Sequence, residues 1–206
     1  MSQGTPSTKQ KLLEVAEELF ATRGVEATLI GDIVQGAGQR NPSALRYHFG
    51  SREGVLQAIR EKYLAELERR RATMFEEWTG SGTATPVDAV TLAVVPLVEL
   101  LRSEGGRRYL RILGQTMFEL NPDQMEAVVK YPSLARTLDL MRAGMAHVPD
   151  NLVEDRIRGA LILISAALAT RARDVANRRR PPNSIPDFQQ NVIAMASAVL
   201  TAPVDI

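Results

Sequence analysis

Residues 36–53 read GAGQRNPSALRYHFGSRE and carry the features that decide the fold. A glycine-rich break ends one helical pattern, and Asn41-Pro42 opens the next, because Asn accepts hydrogen bonds from the free amides of a helix start and Pro suits the first turn. Gly50-Ser51 ends that short helix and begins another. Short helices joined by a tight, glycine-containing turn have the form of a helix-turn-helix motif.

Positive charge is concentrated in the same stretch. Residues 36–52 hold three arginines and one histidine but no acidic residue, whereas the whole chain is nearly neutral, with 25 Lys and Arg against 24 Asp and Glu. A local excess of cations in a neutral protein suits contact with phosphates. A solvated turn in an ordinary helical bundle would look the same, so spacing and charge alone leave both interpretations open.

The remainder of the chain shows helical periodicity and almost no strand alternation. We therefore predict an all-α fold of eight to ten helices, with three short helices in an N-terminal helix-turn-helix domain over residues 1–50 and a larger helical domain over residues 51–206. Within the larger domain the predicted helices run over residues 51–78, 85–102, 105–120, 121–146 with a break at 131–132, 151–177 and 186–200. The start signals include Thr85-Pro86 and a capping box of Asn151 with Glu154.

Composition argues against several classes of function. The chain has no cysteine, which excludes disulfides, thiolate metal sites and cysteine nucleophiles. Its two histidines, His48 and His147, are far apart, and we find neither a phosphate-binding glycine loop nor a fixed pair of carboxylates. We predict no catalytic residue, no cofactor and no metal. The polar N-terminus and the lack of an apolar run of about 20 residues favour a cytoplasmic protein without a membrane partner.

Three stretches match a known family. They are residues 13–24 (LEVAEELFATRG), residues 30–38 (IGDIVQGAG) and residues 44–53 (ALRYHFGSRE) followed by Leu56. On these, residues 10–64 resemble the DNA-binding domain of the tetracycline-repressor (TetR) family of bacterial transcription regulators. The resemblance implies an N-terminal helix-turn-helix, a C-terminal domain for ligand binding and dimerisation, and a homodimer that acts on double-stranded operator DNA.

One departure from the family pattern concerns the third helix. Ten residues, 39–48, separate Gly38 from Phe49, where the common pattern has nine. Arg46 thus falls where a backbone-contacting Tyr is usual, so that either the turn is one residue longer or the helix is rotated. Arg52 matches a usual Lys at the start of the fourth helix, where a cation and the helix N-terminus favour a phosphate. We predict a DNA surface made of Gln39, Arg40, Asn41, Ser43, Arg46, Tyr47, His48 and Arg52.

The last two long helices carry apolar stripes at three- to five-residue steps, together with many small residues that allow close helix approach. Part of each stripe belongs to the core, and we expect a two-fold partner to cover the rest, as a two-half-site operator requires. The predicted dimer interface consists of Leu161, Ile164, Leu168, Phe188, Val192, Met195 and Val199.

The middle helices hold most of the aromatic and sulfur-bearing side chains. The resemblance implies a ligand cavity there, and an apolar lining with few polar anchors suits one; all of these residues could instead fill the core. The predicted pocket comprises Phe75, Trp78, Tyr109, Arg111, Gln115, Met117, Phe118, Met141, Met145 and His147. We expect a repressor released by a small apolar effector, with an activator, a regulator without an effector and a helical enzyme or binder as the alternatives.

Overall fold

The computed structural model describes residues 7–41, 43–78, 84–117 and 130–204, and the chain divides into two compact units, Met1–Tyr63 and Leu64–Ile206. Within the described residues there are nine α-helices, a 3-10 turn over Leu100–Arg102 and no strand, which confirms the all-α prediction. The helices are α1 Thr8–Arg23, α2 Ile30–Gly36, α3 Ser43–Phe49, α4 Arg52–Glu77, α5 Pro86–Glu99, α6 Glu104–Thr116, α7 Pro132–Ala143, α8 Asp150–Ala176 and α9 Ile185–Thr201. The division into units places the first part of α4 with α1–α3, whereas the sequence placed the boundary after residue 50.

The N-terminal unit is built around a small apolar core. Each of its helices contributes fully buried side chains: Leu12 and Phe20 from α1, Ile33 from α2, Leu45 from α3 and Ile59 from α4. Helices as short as α2 and α3 are marginal alone in water, so their shared core stabilises them. The orientation of α3, and hence of its outer surface, is fixed by that packing.

Glycines in left-handed conformation bound α3 at both ends. Gly38 in the preceding turn has φ of 69° and Gly50 after the helix has φ of 74°, which residues with a Cβ rarely adopt. Asn41 Oδ1 accepts a hydrogen bond from the Ser43 amide at 2.9 Å, so Asn41 supports the helix start that the sequence predicted. Pro42 lies outside the described residues.

The C-terminal unit contains the rest of α4 and α5–α9. Helix α6 packs along α8, α9 packs on α5 and α8, and α5 packs on α7. Helix α6 lies close to α8 at Gly114, where a Cβ would lie 2.4 Å from the Cβ of Ala169. The core between these helices includes Tyr109, Met141 and Leu168, all nearly or fully buried.

The helix starts predicted from sequence have mixed outcomes. Thr85 and Asp88 form the predicted cap of α5, with the Asp88 amide donating to Thr85 Oγ1 at 3.2 Å. The capping box of Asn151 with Glu154 is wrong, because α8 begins at Asp150 without a side-chain cap and Glu154 accepts from Arg142 Nε at 2.7 Å.

The sequence predicts that Gly105-Gly106 separates the helix ending near residue 102 from the helix running to residue 120, and this prediction is also wrong. Helix α6 begins at Glu104, so both glycines lie in its first turn, and Ser103 Oγ accepts from the Gly106 amide at 3.0 Å. A Cβ at Gly106 would lie 2.2 Å from the Leu100 carbonyl oxygen. The second glycine is therefore required by the close approach of the preceding turn rather than by a break in the helix.

Candidate nucleic-acid interface

Helix α3 presents one apolar and one polar side. Leu45 is 0% exposed, whereas Tyr47, two residues on and therefore on the opposite side of the helix, is 86% exposed. Ser43 shares that outer side. Of the predicted DNA surface, Arg40, Asn41, Ser43, Arg46 and Tyr47 are exposed, and Gln39, His48 and Arg52 are half-buried. The structure thus gathers these residues on and around α3.

The three arginines of this surface differ in their pairing. In the part of the chain that the structure describes, neither Arg40 nor Arg46 forms an ion pair. Arg52 does: one of its terminal nitrogens pairs with the Glu26 carboxylate, and the other donates to the Glu26 carbonyl oxygen at 2.9 Å. Two of the three guanidinium groups are therefore available to an external anion, and the third is engaged within the subunit.

Aromatic rings support the C-terminal turn of α3. The ring of His48 meets the ring of Tyr47 edge-on at 5.1 Å and that of Phe49 at 6.2 Å. Lys9 Nζ, from α1, lies 5.7 Å from the centre of the Phe49 ring. Lys9 adds a cation beside α3 that the sequence did not predict, because nothing local in the sequence links the first helix to the third.

A buried carboxylate joins α1 to α4 within the N-terminal unit. Glu17 is 2% exposed and accepts from Lys62 Nζ at 2.6 Å and from the Tyr63 hydroxyl at 3.2 Å. Lys62 Nζ also lies 4.7 Å from the centre of the Tyr63 ring. Burying a carboxylate is unfavourable unless it is paired, so this contact fixes α4 against α1.

The residues predicted to line an effector pocket differ in their burial. Tyr109, Met141 and Met145 are buried in the C-terminal unit, and His147 is exposed in the turn after α7. Phe75, Trp78, Arg111, Gln115 and Met117 are half-buried, while Phe118 and the helix start predicted at residues 121–124 lie outside the described residues.

Two of these residues form a local aromatic cluster. The rings of Phe75 and Trp78 are 6.3 Å apart, and the Arg136 guanidinium of α7 lies 4.3 Å from the Phe75 ring centre. Arg111 has a buried Nε that finds no hydrogen-bond partner among the described residues, and burial lowers the pKa of its guanidinium. Arg136 was not predicted, because its contact with α4 depends on tertiary packing.

The predicted dimer residues fall into two groups. Ile164, Leu168, Phe188 and Val192 are buried inside the subunit, so most of the apolar stripe of α8 and α9 is internal packing. Leu161 and Val199 are half-buried, and Met195 is 38% exposed. Ile162, which the sequence did not single out, is 36% exposed. A groove of about 420 Å³ farther along α8 is lined by Ala166, Ala167, Thr170, Arg171, Asp174, Pro182, Asn183 and Phe188.

Metal sites and membrane spans are absent from the described ranges. No group of three or more His, Asp or Glu side chains there could hold a metal ion. Among the helices that these ranges contain, none is both long enough and apolar enough to cross a membrane.

Comparison with known proteins identifies the N-terminal segment. Residues 12–59 match the family model for bacterial regulatory proteins of the tetR family. The HTH-type transcriptional repressor KstR2 of Rhodococcus jostii (strain RHA1) is 38% identical over 64 residues, which are 31% of this chain and 31% of that repressor. The chain therefore aligns with less than a third of that relative's length.

Solved structures share the fold over a longer range. A bacterial regulatory protein in the tetR family from Rhodococcus RHA1 has a TM-score of 0.54 at 17% identity, covering 95% of this chain and 98% of that one. The TetR family transcriptional regulator PfmR from Thermus thermophilus has a TM-score of 0.52 at 20% identity, covering 92% and 96%. By the match of residues 12–59, the chain carries the DNA-binding segment of the TetR family of bacterial regulatory proteins, and it shares the fold of solved TetR-family proteins over nearly its whole length.

Proposed function

We propose that the protein is a homodimeric transcription regulator of the cytoplasm that binds double-stranded operator DNA and represses until a small apolar effector releases it. The observation that carries the DNA-binding part is the exposed surface of α3 and of the turn before it, where Arg46 and Arg40 have no carboxylate partner among the described residues. The name of the matched relative, a transcriptional repressor, supports the direction of control. We also propose that the chain catalyses no reaction.

Helix α3 suits the major groove of DNA. An α-helix with its side chains is about 10–12 Å across and the groove is about 12 Å wide, so a helix such as α3 fits into the groove. Ser43 and Tyr47, on the outer side, are placed to reach base edges and the thymine methyl group, while Arg40 and Arg46 are placed beside them to contact phosphates.

Salt dependence of DNA binding tests this surface. The operator is first selected from a pool of genomic fragments with the full-length protein. Each phosphate contact contributes a slope of about −0.9 to the dependence of log K on log salt, so replacing both Arg40 and Arg46 by Ala should reduce the slope by about two units. Arg102→Ala, an exposed arginine of the C-terminal unit, is the matched control. If the slope of log K against log salt is unchanged in the double variant, the proposed DNA surface is wrong.

The proposed dimer uses the outer sides of α8 and α9. Ile162 and Met195 supply exposed apolar area there, and the small side chains of Ala166 and Ala198 allow helices of a second subunit to approach closely. The groove beside Ala166 offers space for a side chain of the partner. A two-fold dimer presents two copies of α3, as a two-half-site operator requires.

The proposed effector binds in the C-terminal unit. Support comes from the half-buried Phe75 and Trp78 and from the flexible side chains of Met141 and Met145, which can re-pack around a ligand. Tyr109, Arg111 and Gln115 are the candidate polar anchors. Effector binding would favour a spacing of the two DNA-binding units that misfits the operator.

A screen of apolar compounds tests the effector. A true effector raises the melting temperature, changes Trp78 fluorescence and releases operator DNA at the same concentration. If no apolar compound acts and a phosphorylated metabolite raises the melting temperature and releases DNA, the proposed effector class is wrong. If no compound releases DNA, the proposal of a small-molecule effector is replaced by that of a regulator controlled by a protein partner or by its own abundance.

A further inference from the structure

Glu26 and Arg52 form a contact that the predicted DNA surface does not account for. Glu26 lies in the loop between α1 and α2, and Arg52 is the first residue of α4. The arginine donates to both the side chain and the backbone of Glu26, and its side chain is 32% exposed against 81% for Glu26. A guanidinium that would contact a phosphate is thus held by a carboxylate of the same unit.

We propose that Glu26 occupies the phosphate position of Arg52 in the free protein and must be displaced when DNA binds. The proposal rests on the proposed DNA-binding function and adds an internal competitor to it. A carboxylate and a phosphate both offer oxygens in the geometry that a guanidinium fork recognises. Because Arg52 cannot hold both anions through the same nitrogens, DNA gains this contact only by breaking the ion pair.

The competitor distinguishes Arg52 from the other two arginines. Arg40 and Arg46, without ion pairs in the described chain, meet phosphates at no such cost. An exposed ion pair contributes little free energy. Removal of the competitor should therefore tighten DNA binding by about two- to fivefold rather than by orders of magnitude.

A double-mutant cycle on operator DNA tests the competition. The four full-length proteins are the wild type, Glu26→Gln, Arg52→Ala and the double variant, and the affinity for the selected operator is measured by fluorescence anisotropy at one fixed salt concentration. We expect Glu26→Gln to tighten binding about two- to fivefold and Arg52→Ala to weaken it. In the Arg52→Ala background, Glu26→Gln should have no further effect.

Glu53→Gln is the matched control. Glu53 is adjacent to Arg52 in sequence and its side chain is 64% exposed, but it pairs with Arg60 at 3.2 Å. If Glu53→Gln tightens binding as much as Glu26→Gln, or if Glu26→Gln acts equally with and without Arg52, the effect is one of overall charge and the competitor is refuted. Weaker binding by Glu26→Gln also refutes it, since the pair would then position Arg52 for DNA.

Two further measurements keep the outcomes separate. Glu26→Asp retains the charge but shortens the side chain, so it should tighten binding, though less than Glu26→Gln does; binding weaker than that of the wild type opposes the competitor. Melting curves of all variants show whether each remains folded. If the wild type binds no DNA fragment at all, the proposed DNA-binding function is wrong. If the wild type binds DNA but Glu26→Gln does not change the affinity, only the proposed competition is wrong.

Discussion

At the scale of single residues, Tyr47 is the most exposed large apolar side chain among the described residues, and contact with a second molecule would cover it. Its ring is 86% exposed, opposite the buried Leu45, and so gains little from burial in the free subunit. An edge-on contact with His48 keeps it beside the helix. An exposed aromatic ring beside unpaired arginines, on the outer side of a short helix, suits contact with base edges.

Tyr47→Ala should weaken operator binding by about 1–3 kcal/mol, the value of a good contact to a base edge, and should shift sequence preference. Because the side chain is exposed, the free energy of unfolding should change by no more than about 0.5 kcal/mol. Val87→Ala, at another exposed apolar position and in the C-terminal unit, is the control, with no expected effect on DNA. A large drop in melting temperature for Tyr47→Ala would show that the ring is structural.

Glu17 shows what single-residue reasoning from sequence misses. Nothing in the local sequence distinguishes Glu17 from Glu14 and Glu18, yet Glu17 is 2% exposed and accepts hydrogen bonds from Lys62 and Tyr63. Its partners are far along the chain, and only the packing of α1 on α4 brings them together. Arg46 of α3 was predictable because its exposure follows from the local helix pattern alone.

At the scale of helices and turns, caps were predictable where the capping group has no competitor. Thr85 and Asp88 bond to each other, as their spacing predicts. Glu154 was expected to do the same but accepts from Arg142 of α7, and this hydrogen bond lowers the pKa of its carboxyl. A tertiary cation, invisible to local spacing, thus replaces the cap.

The crossing of α6 and α8 gives a prediction at this scale. A Cβ at Gly114 would lie 2.4 Å from the Ala169 Cβ and 3.2 Å from the Ser165 carbonyl oxygen. Gly114→Ala should therefore lower the free energy of unfolding by about 1–3 kcal/mol, since overpacking forces the helices apart.

Gly159→Ala is the matched control for that crossing. Its nearest neighbour would be Val199 Cγ1 at an ordinary 3.7 Å, so the better helix propensity of Ala should leave stability unchanged or raise it by up to about 1 kcal/mol. Chemical denaturation followed by circular dichroism measures both. Pairing Gly114→Ala with Ala169→Gly should recover part of the loss; no recovery would locate the clash elsewhere.

At the scale of the whole molecule, the sequence predicted the DNA-binding unit more fully than the rest. The helix-turn-helix is local in the chain, so spacing, turns and charge suffice to find it. The stripes of α8 and α9 are different, because Ile164 and Val192 face the interior while Ile162 and Met195 face outward, and periodicity alone assigned three of these four to the interface. An internal and an external stripe on one helix separate only when the other helices are in place.

The outward stripe carries the last prediction, which concerns assembly. The side chains of Ile162 and Met195 are 36% and 38% exposed, so they are accessible to a second subunit and are not part of the buried core. A glutamate at either position would be buried unpaired in a two-fold interface, and opposite its own copy, so dimerisation should fail while the subunit stays folded. Sedimentation at micromolar concentration should then show 22.6 kDa for Ile162→Glu or Met195→Glu and twice that for the wild type. Val87→Glu, exposed on α5, should remain dimeric.

Loss of the dimer should also weaken operator binding steeply, because each monomer contacts one half-site. A wild-type chain that sediments as a monomer, or glutamate variants that stay dimeric, would place the interface elsewhere or remove it.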